Sequence, residues 1–217
     1  MGDVPNPLTG DPRTVLDAPL LRLVYSPASE VELDLEWIGR VAALNDPAFG
    51  DVSDWGDVTL RAKWCFQADA PGRPALGVRF TVTLPETDFD YGLGPNTLRM
   101  RAEALLSKQL GRTTLHLNLG FATEDHPLGG PSQSDFLAYG AALEHRVGTG
   151  LVLVGEVAGL GVGPSRPGTE RRGEARVGLR YGRGRVSADA AAIRGVEIAS
   201  GRWGLIAGLT WRIKPGG

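Results

Sequence analysis

Hydrophobic and polar residues alternate with a period of two along most of this chain. The stretch GDVTLRAKWCFQA, Gly56 to Ala68, shows the pattern most strictly. Val58, Leu60, Ala62, Trp64 and Phe66 take one side; Asp57, Thr59, Arg61, Lys63 and Gln67 take the other, with Cys65 among them. Successive side chains of a strand point to opposite faces, so the segment carries one apolar and one charged face. The same pattern predicts strands over Leu20–Tyr25, Val31–Trp37, Gly56–Gln67, Ala75–Leu84, Thr113–Phe121, Phe136–His145, Leu151–Leu160, Glu174–Tyr181, Arg185–Ile193 and Trp203–Ile213. Leu98–Gly111 is rich in helix formers. Its apolar set Leu98, Met100, Ala102, Ala104 and Leu106 nevertheless repeats every second residue, so it too is read as a strand.

The connections sort by length. SPAS, DAPGR, LGRT, VGTG and GRG are tight, and between them lie NDPAFGDVSDW, ETDFDYGLGPN, ATEDHPLGGPSQSD, GVGPSRPGTERR and RGVEIASGR. Short and long connections therefore alternate along the chain. A two-layer sandwich has no reason to do this, whereas an up-and-down outer-membrane barrel puts short turns on the periplasmic side and long loops outside. The expected fold is all-β: an up-and-down antiparallel transmembrane β-barrel, with about eleven visible strands of an expected twelve. Even strand numbers and periplasmic termini imply a strand upstream of Leu20 and a signal peptide before it. Residues 1–13, with their prolines, read as an outer loop or the remnant of a truncated N-terminus, 14–213 as the barrel and 214–217 as a short tail. The opening MGDVPNPLTGDPRTV has no basic and apolar leader, so the expected outer-membrane location presumes a trimmed or truncated start.

Bulk properties narrow the class. A net charge of −2 and a pI near 5.9 lack the basic footprint of nucleic-acid binding. Mean hydropathy is −0.10, and no run approaches the roughly 18 apolar residues of a helical span, which leaves a barrel open because its strands are only half apolar. The single Cys65 excludes an internal disulfide and a cysteine-based metal cluster. Trp37, Trp55, Trp64, Tyr25, Tyr181, Trp203 and Trp211 fall mostly near predicted strand ends, where interfacial girdles sit.

Three stretches, GDVTLRAKWCF, ALGVRFTVTLPETDFDYGLGPN and LLSKQLGRTTLHLNLGFA, resemble outer-membrane proteins of the MetA-pathway of phenol degradation family. The shared pattern is Gly56-Asp57 opening a strand that holds Lys63, then Leu84-Pro85, then Gly92-x-Gly94, then Asn118 and Gly120 in a later strand. The match covers the middle third, and the tail IKPGG after the last strand departs from it. The resemblance implies a small outer-membrane barrel passing hydrophobic or aromatic compounds.

In such a barrel the interior candidates are Glu32, Asp34, Glu36, Arg61, Lys63, Arg79, Arg99, Arg101, Glu103, His116, Asn118, Glu144, Glu156, Glu174, Arg176, Arg180, Asp189 and Arg212. They would select solutes by sign and size, or pair with one another and plug the lumen. No catalytic constellation stands out. His116, His126 and His145 are scattered and read as structural. Glu86, Asp88 and Asp90 could gather Ca²⁺ but lack the rest of a Ca²⁺ loop, and read as a solvated turn. GLGPN and GVGPSRPG have no Gly-Lys-Ser/Thr and no following helix, so they are not phosphate loops.

The expectation is a non-enzymatic channel or transporter for small solutes, with no cofactor or metal. Its partners would be the lipid bilayer, the solute and, during biogenesis, the barrel-assembly machinery. Two alternatives stay open: a non-conducting structural barrel, and a soluble ligand-binding barrel in which the apolar face points inward. Alternation alone does not separate these.

Overall fold

The computed structural model describes residues 2–126, 133–162 and 169–213. They form one antiparallel sheet of 15 strands. The strands are β1 (Gly2–Pro5), β2 (Pro12–Asp17), β3 (Leu20–Ala28), β4 (Val31–Ile38), β5 (Val41–Asp46), β6 (Gly50–Asp54) and β7 (Val58–Gln67). After them come β8 (Ala75–Leu84), β9 (Arg99–Leu110), β10 (Thr113–Asp125), β11 (Gln133–Arg146), β12 (Leu151–Gly161), β13 (Arg172–Arg183), β14 (Val186–Gly195) and β15 (Trp203–Trp211). The 3₁₀ turn Ile198–Ser200 is the one helical element among the described residues.

Six of these strands are halves of three longer ones. Asp17↔Val41 and Leu20↔Ile38 belong to a single register, as do Val41↔Asp54 and Trp37↔Val58. Backbone bonds from Ala18 to Arg40 and from Gly39 to Pro19 carry the ladder across the first break. β2 thus continues as β3, β4 as β5 and β6 as β7. The described residues make twelve up-and-down passes, where the sequence predicts eleven with a twelfth upstream; β1 supplies the twelfth. From β7 to β15 every strand pairs with its sequence neighbour. β1 then joins β15 at Gly2↔Gly204 and pairs with β2. Below that junction the ring is not closed by hydrogen bonds, and β3 is an edge of the ladder.

Three expectations need correction. The first residues are not all loop, since Gly2–Pro5 is a strand and β2 starts at Pro12. Asn45–Trp55 is not a long loop but a hairpin that lengthens β4 and β7. Ser26 to Ala28 stay in β3, and the turn falls at Ser29 and Glu30. The backbone keeps pairing wherever the alternation continues, even through Pro and Asp.

The distribution of side chains is inverted relative to a soluble protein. Phe121, Val177, Leu209 and Trp211 are each more than 70% exposed, while Asp34, Glu103 and Glu124 are buried. Register explains it, because the charged residues of neighbouring strands lie opposite one another: Glu32↔Lys63↔Arg79↔Glu103, Asp34↔Arg61, and Glu156↔Arg176. Most large apolar residues of those strands take the other, outer face, while Leu105, Val152, Val154 and Leu160 share the inner one. A soluble carrier needs the reverse arrangement, so that alternative is not supported. Tyr139, on the outer face opposite Leu119, lies across Gly159 and Gly173, where a Cβ would approach its hydroxyl to 2.7 and 2.8 Å.

Candidate functional site: the charged interior

The inner wall is a lattice of ion pairs, between adjacent strands from β3 to β9 and within or across more distant strands from β10 to β13. Arg61 bridges Asp34 at 3.1 Å and Glu36 at 3.0 Å, and Arg22 shares Asp34. Lys63 meets Glu32 at 2.8 Å. Arg79 donates to Glu103 at 2.8 Å, and the Asn118 amide takes the second oxygen of that carboxylate. Asn118 itself occupies the space above Gly140, where a Cβ would stand 2.2 Å from its Oδ1. His116 Nδ1 pairs with Ser107 Oγ at 2.8 Å. Arg180 reaches Glu144 at 3.1 Å, and Arg176 reaches Glu174 at 2.8 Å. Asp189 lies opposite Arg180 in register, and Glu156 opposite Arg176. Arg212 lies just beyond β15 and joins the sheet through its backbone N–H to Arg185.

The interior candidates that lie in strands therefore fall on one face. Three further charges belong with them. Arg22 pairs with Asp34, and Arg172 spans from β13 to Glu124 on β10. Arg22 hides between Leu21 and Leu23, whereas Glu124 and Arg172 lie just outside the strand limits read from sequence. Continuing the inner-face parity finds Arg172 two residues before Glu174 and Glu124 three beyond Phe121.

The charges are not evenly mixed. At the end with the long connections, Arg99, Arg101, Arg172 and Arg176 surround a cavity of about 350 Å³, with Glu124 and Glu174 as the opposing acids. Arg99 pairs with Asp57, whose other oxygen accepts the Glu86 and Thr87 N–H groups at 3.0 Å each. Thr87 donates to Trp55 O at 3.0 Å, and Trp55 stacks on Trp37 with ring centroids 5.9 Å apart.

A second structure covers the same end. Asn6 and Arg13 both bind Asp46 Oδ2, at 2.7 and 3.1 Å, and Arg13 also donates to Tyr91 O and Gly92 O. Asn6, Arg13 and Asp46 are all buried. Gly92 has φ +66°, and a Cβ there would stand 2.7 Å from Asn6 Oδ1, so only glycine fits. Burial alone would raise the Asp46 carboxyl, but the Asn6 amide, the Ala48 and Phe49 N–H groups and Arg13 outweigh it and leave it lowered. These bonds fasten the β1–β2 and β5–β6 tips to the loop after β8.

The Glu86, Asp88 and Asp90 stretch is organised by capping. Asp88 N–H donates to Asp54 at 2.9 Å, and Asp90 N–H to Asp88 at 3.1 Å. Among the described residues no group of three His, Cys, Asp or Glu is placed to hold a metal ion. Cys65 lies on the inner face opposite Gly77, near the end of β7.

An antiparallel barrel with an apolar exterior and an ionic interior is the class that this geometry defines. Among solved structures the chain is similar to an outer membrane channel from Pseudomonas putida F1, with a TM-score of 0.65 and 22% identity. The alignment covers 95% of this chain and 87% of that one. No family model matches the chain, and no curated protein does.

Proposed function

We propose that the protein is a channel for small solutes in a bacterial outer membrane. The observation that carries this reading is the inverted polarity: large apolar side chains cover the outside while carboxylates and guanidiniums pair inside. A bilayer removes the cost of the exposed apolar face, and the closed barrel is the strand architecture that spans one. The short turns at Ser29–Glu30, Gly111–Arg112 and Gly184–Arg185 lie at one end and would face the periplasm. The long connections and the Asp46 cap lie at the other end and would face outward. The similarity to the Pseudomonas channel supports the same reading. The resemblance to the phenol-degradation family extends it to hydrophobic or aromatic solutes and to insertion by the barrel-assembly machinery.

Planar-bilayer recording of protein refolded in detergent tests the function. Discrete conductance steps support a channel. A folded, inserted barrel without steps instead supports the structural-barrel reading, in which the ion pairs plug the lumen.

A further inference from the structure

The cavity near the long-loop end has two chemically distinct sides. Three of its arginines are committed, Arg99 to Asp57, Arg172 to Glu124 and Arg176 to Glu174. Arg101 has no hydrogen-bonded or ion-paired partner among the described residues, although it lines the cavity and is half-buried. The acid two residues along, Glu103, is taken by Arg79 and Asn118. A half-buried guanidinium with no direct partner keeps its donors open to the cavity, so the position favours arriving negative charge. Beside Arg101 the wall is apolar: Ala122, its register partner, and Leu160 line the cavity and belong to a buried cluster with Phe136 and Ala138.

The geometry points to a binding site for a small amphiphilic monoanion, an aromatic or short aliphatic carboxylate. Its carboxylate sits on Arg101 and its apolar body rests against Ala122 and Leu160. A guanidinium fork matches a carboxylate bidentately, which no neutral solute of the same shape exploits. The volume lies at the small end of ligand pockets and fits a single ring. The proposal deepens the channel reading and relies on it for access from the outer side.

Benzoate and benzyl alcohol titrated calorimetrically into the detergent-refolded protein test it. Arg101→Gln, Arg101→Lys and Leu160→Ala are run beside the parent chain, with heat-dependent gel mobility confirming each fold. Benzoate should bind at least about tenfold more tightly than benzyl alcohol. Arg101→Gln should remove about that factor, in line with one hydrogen bond to a charged group. Arg101→Lys should retain part of it, and Leu160→Ala should weaken both ligands. Equal binding of the two ligands, or benzoate affinity unchanged by Arg101→Gln, overturns the site. Should Arg101→Gln not fold, benzoate binding that Arg101→Lys and Leu160→Ala both leave unchanged overturns it equally. Conductance of the same samples separates the two claims. Conductance without Arg101-dependent binding refutes the site and leaves the channel, and Arg101-dependent binding without conductance does the opposite.

Discussion

Glu103 stands directly opposite Arg79 in the β8–β9 register, and its carboxylate is shared between that guanidinium, at 2.8 Å, and the Asn118 amide. The carboxylate is buried on a wall whose other side is covered by exposed apolar groups. Removing it strands a half-buried guanidinium and an amide together. Glu103→Ala should lower stability by about 2–4 kcal/mol in urea unfolding from micelles, and the double variant with Arg79→Ala should recover part of that loss.

Leu119 lies midway along β10, on the outer face, and is 57% exposed. On a water-facing surface an arginine there costs little. At the midplane of a bilayer it costs about 2–4 kcal/mol. Leu119→Arg should therefore destabilise the protein by that amount in lipid vesicles.

Two interior glycines differ in what a methyl group meets. At Gly120 an added Cβ would stand 2.0 Å from the Ala102 carbonyl oxygen, which is backbone. At Gly140 it would meet the Asn118 side chain, which can turn away. Gly120→Ala should cost on the order of 1–3 kcal/mol through strand displacement. Gly140→Ala should cost less, and the Glu103→Ala penalty should shrink in its background because Asn118 has already left.

The Asp46 cap should respond to acid. Its folded carboxyl binds a proton less readily than the unfolded one, whose pKa is about 3.9. The stabilisation is complete above that value and fades as the pH falls through the lower, folded one. Amide exchange at Gly92 and Tyr91 should quicken in that acid range. Asp46→Asn should remove the pH dependence and raise exchange at neutral pH, since Arg13 loses its counter-ion.

Much of this architecture was legible because a strand's period of two is insensitive to its surroundings. Leu98–Gly111 looked helical by composition and is β9, since Met100, Ala102 and Ala104 alternate with Arg101 and Glu103. The charged face was legible for the same reason. The hairpin at Asn45–Trp55 was hidden by Pro47, Gly50 and three aspartates, all turn formers, although Val41 and Ala43 continue the alternation of β4. The Asn6–Arg13–Asp46 contact joins residues up to 40 positions apart, and no local pattern announces it. Arg101 looked like any other interior charge, because its lack of a partner depends on where Glu103, Glu124 and Glu174 direct their oxygens.

Refolding from urea, in parallel into detergent micelles and into plain buffer, tests the inverted polarity most directly. Far-UV circular dichroism and gel mobility with and without boiling are the readouts. β-structure and a heat-sensitive mobility shift that appear only in detergent are the predicted result. A monomer that folds fully in buffer alone would contradict the account, because the face of Leu119, Phe121 and Leu209 would then have to be buried inside.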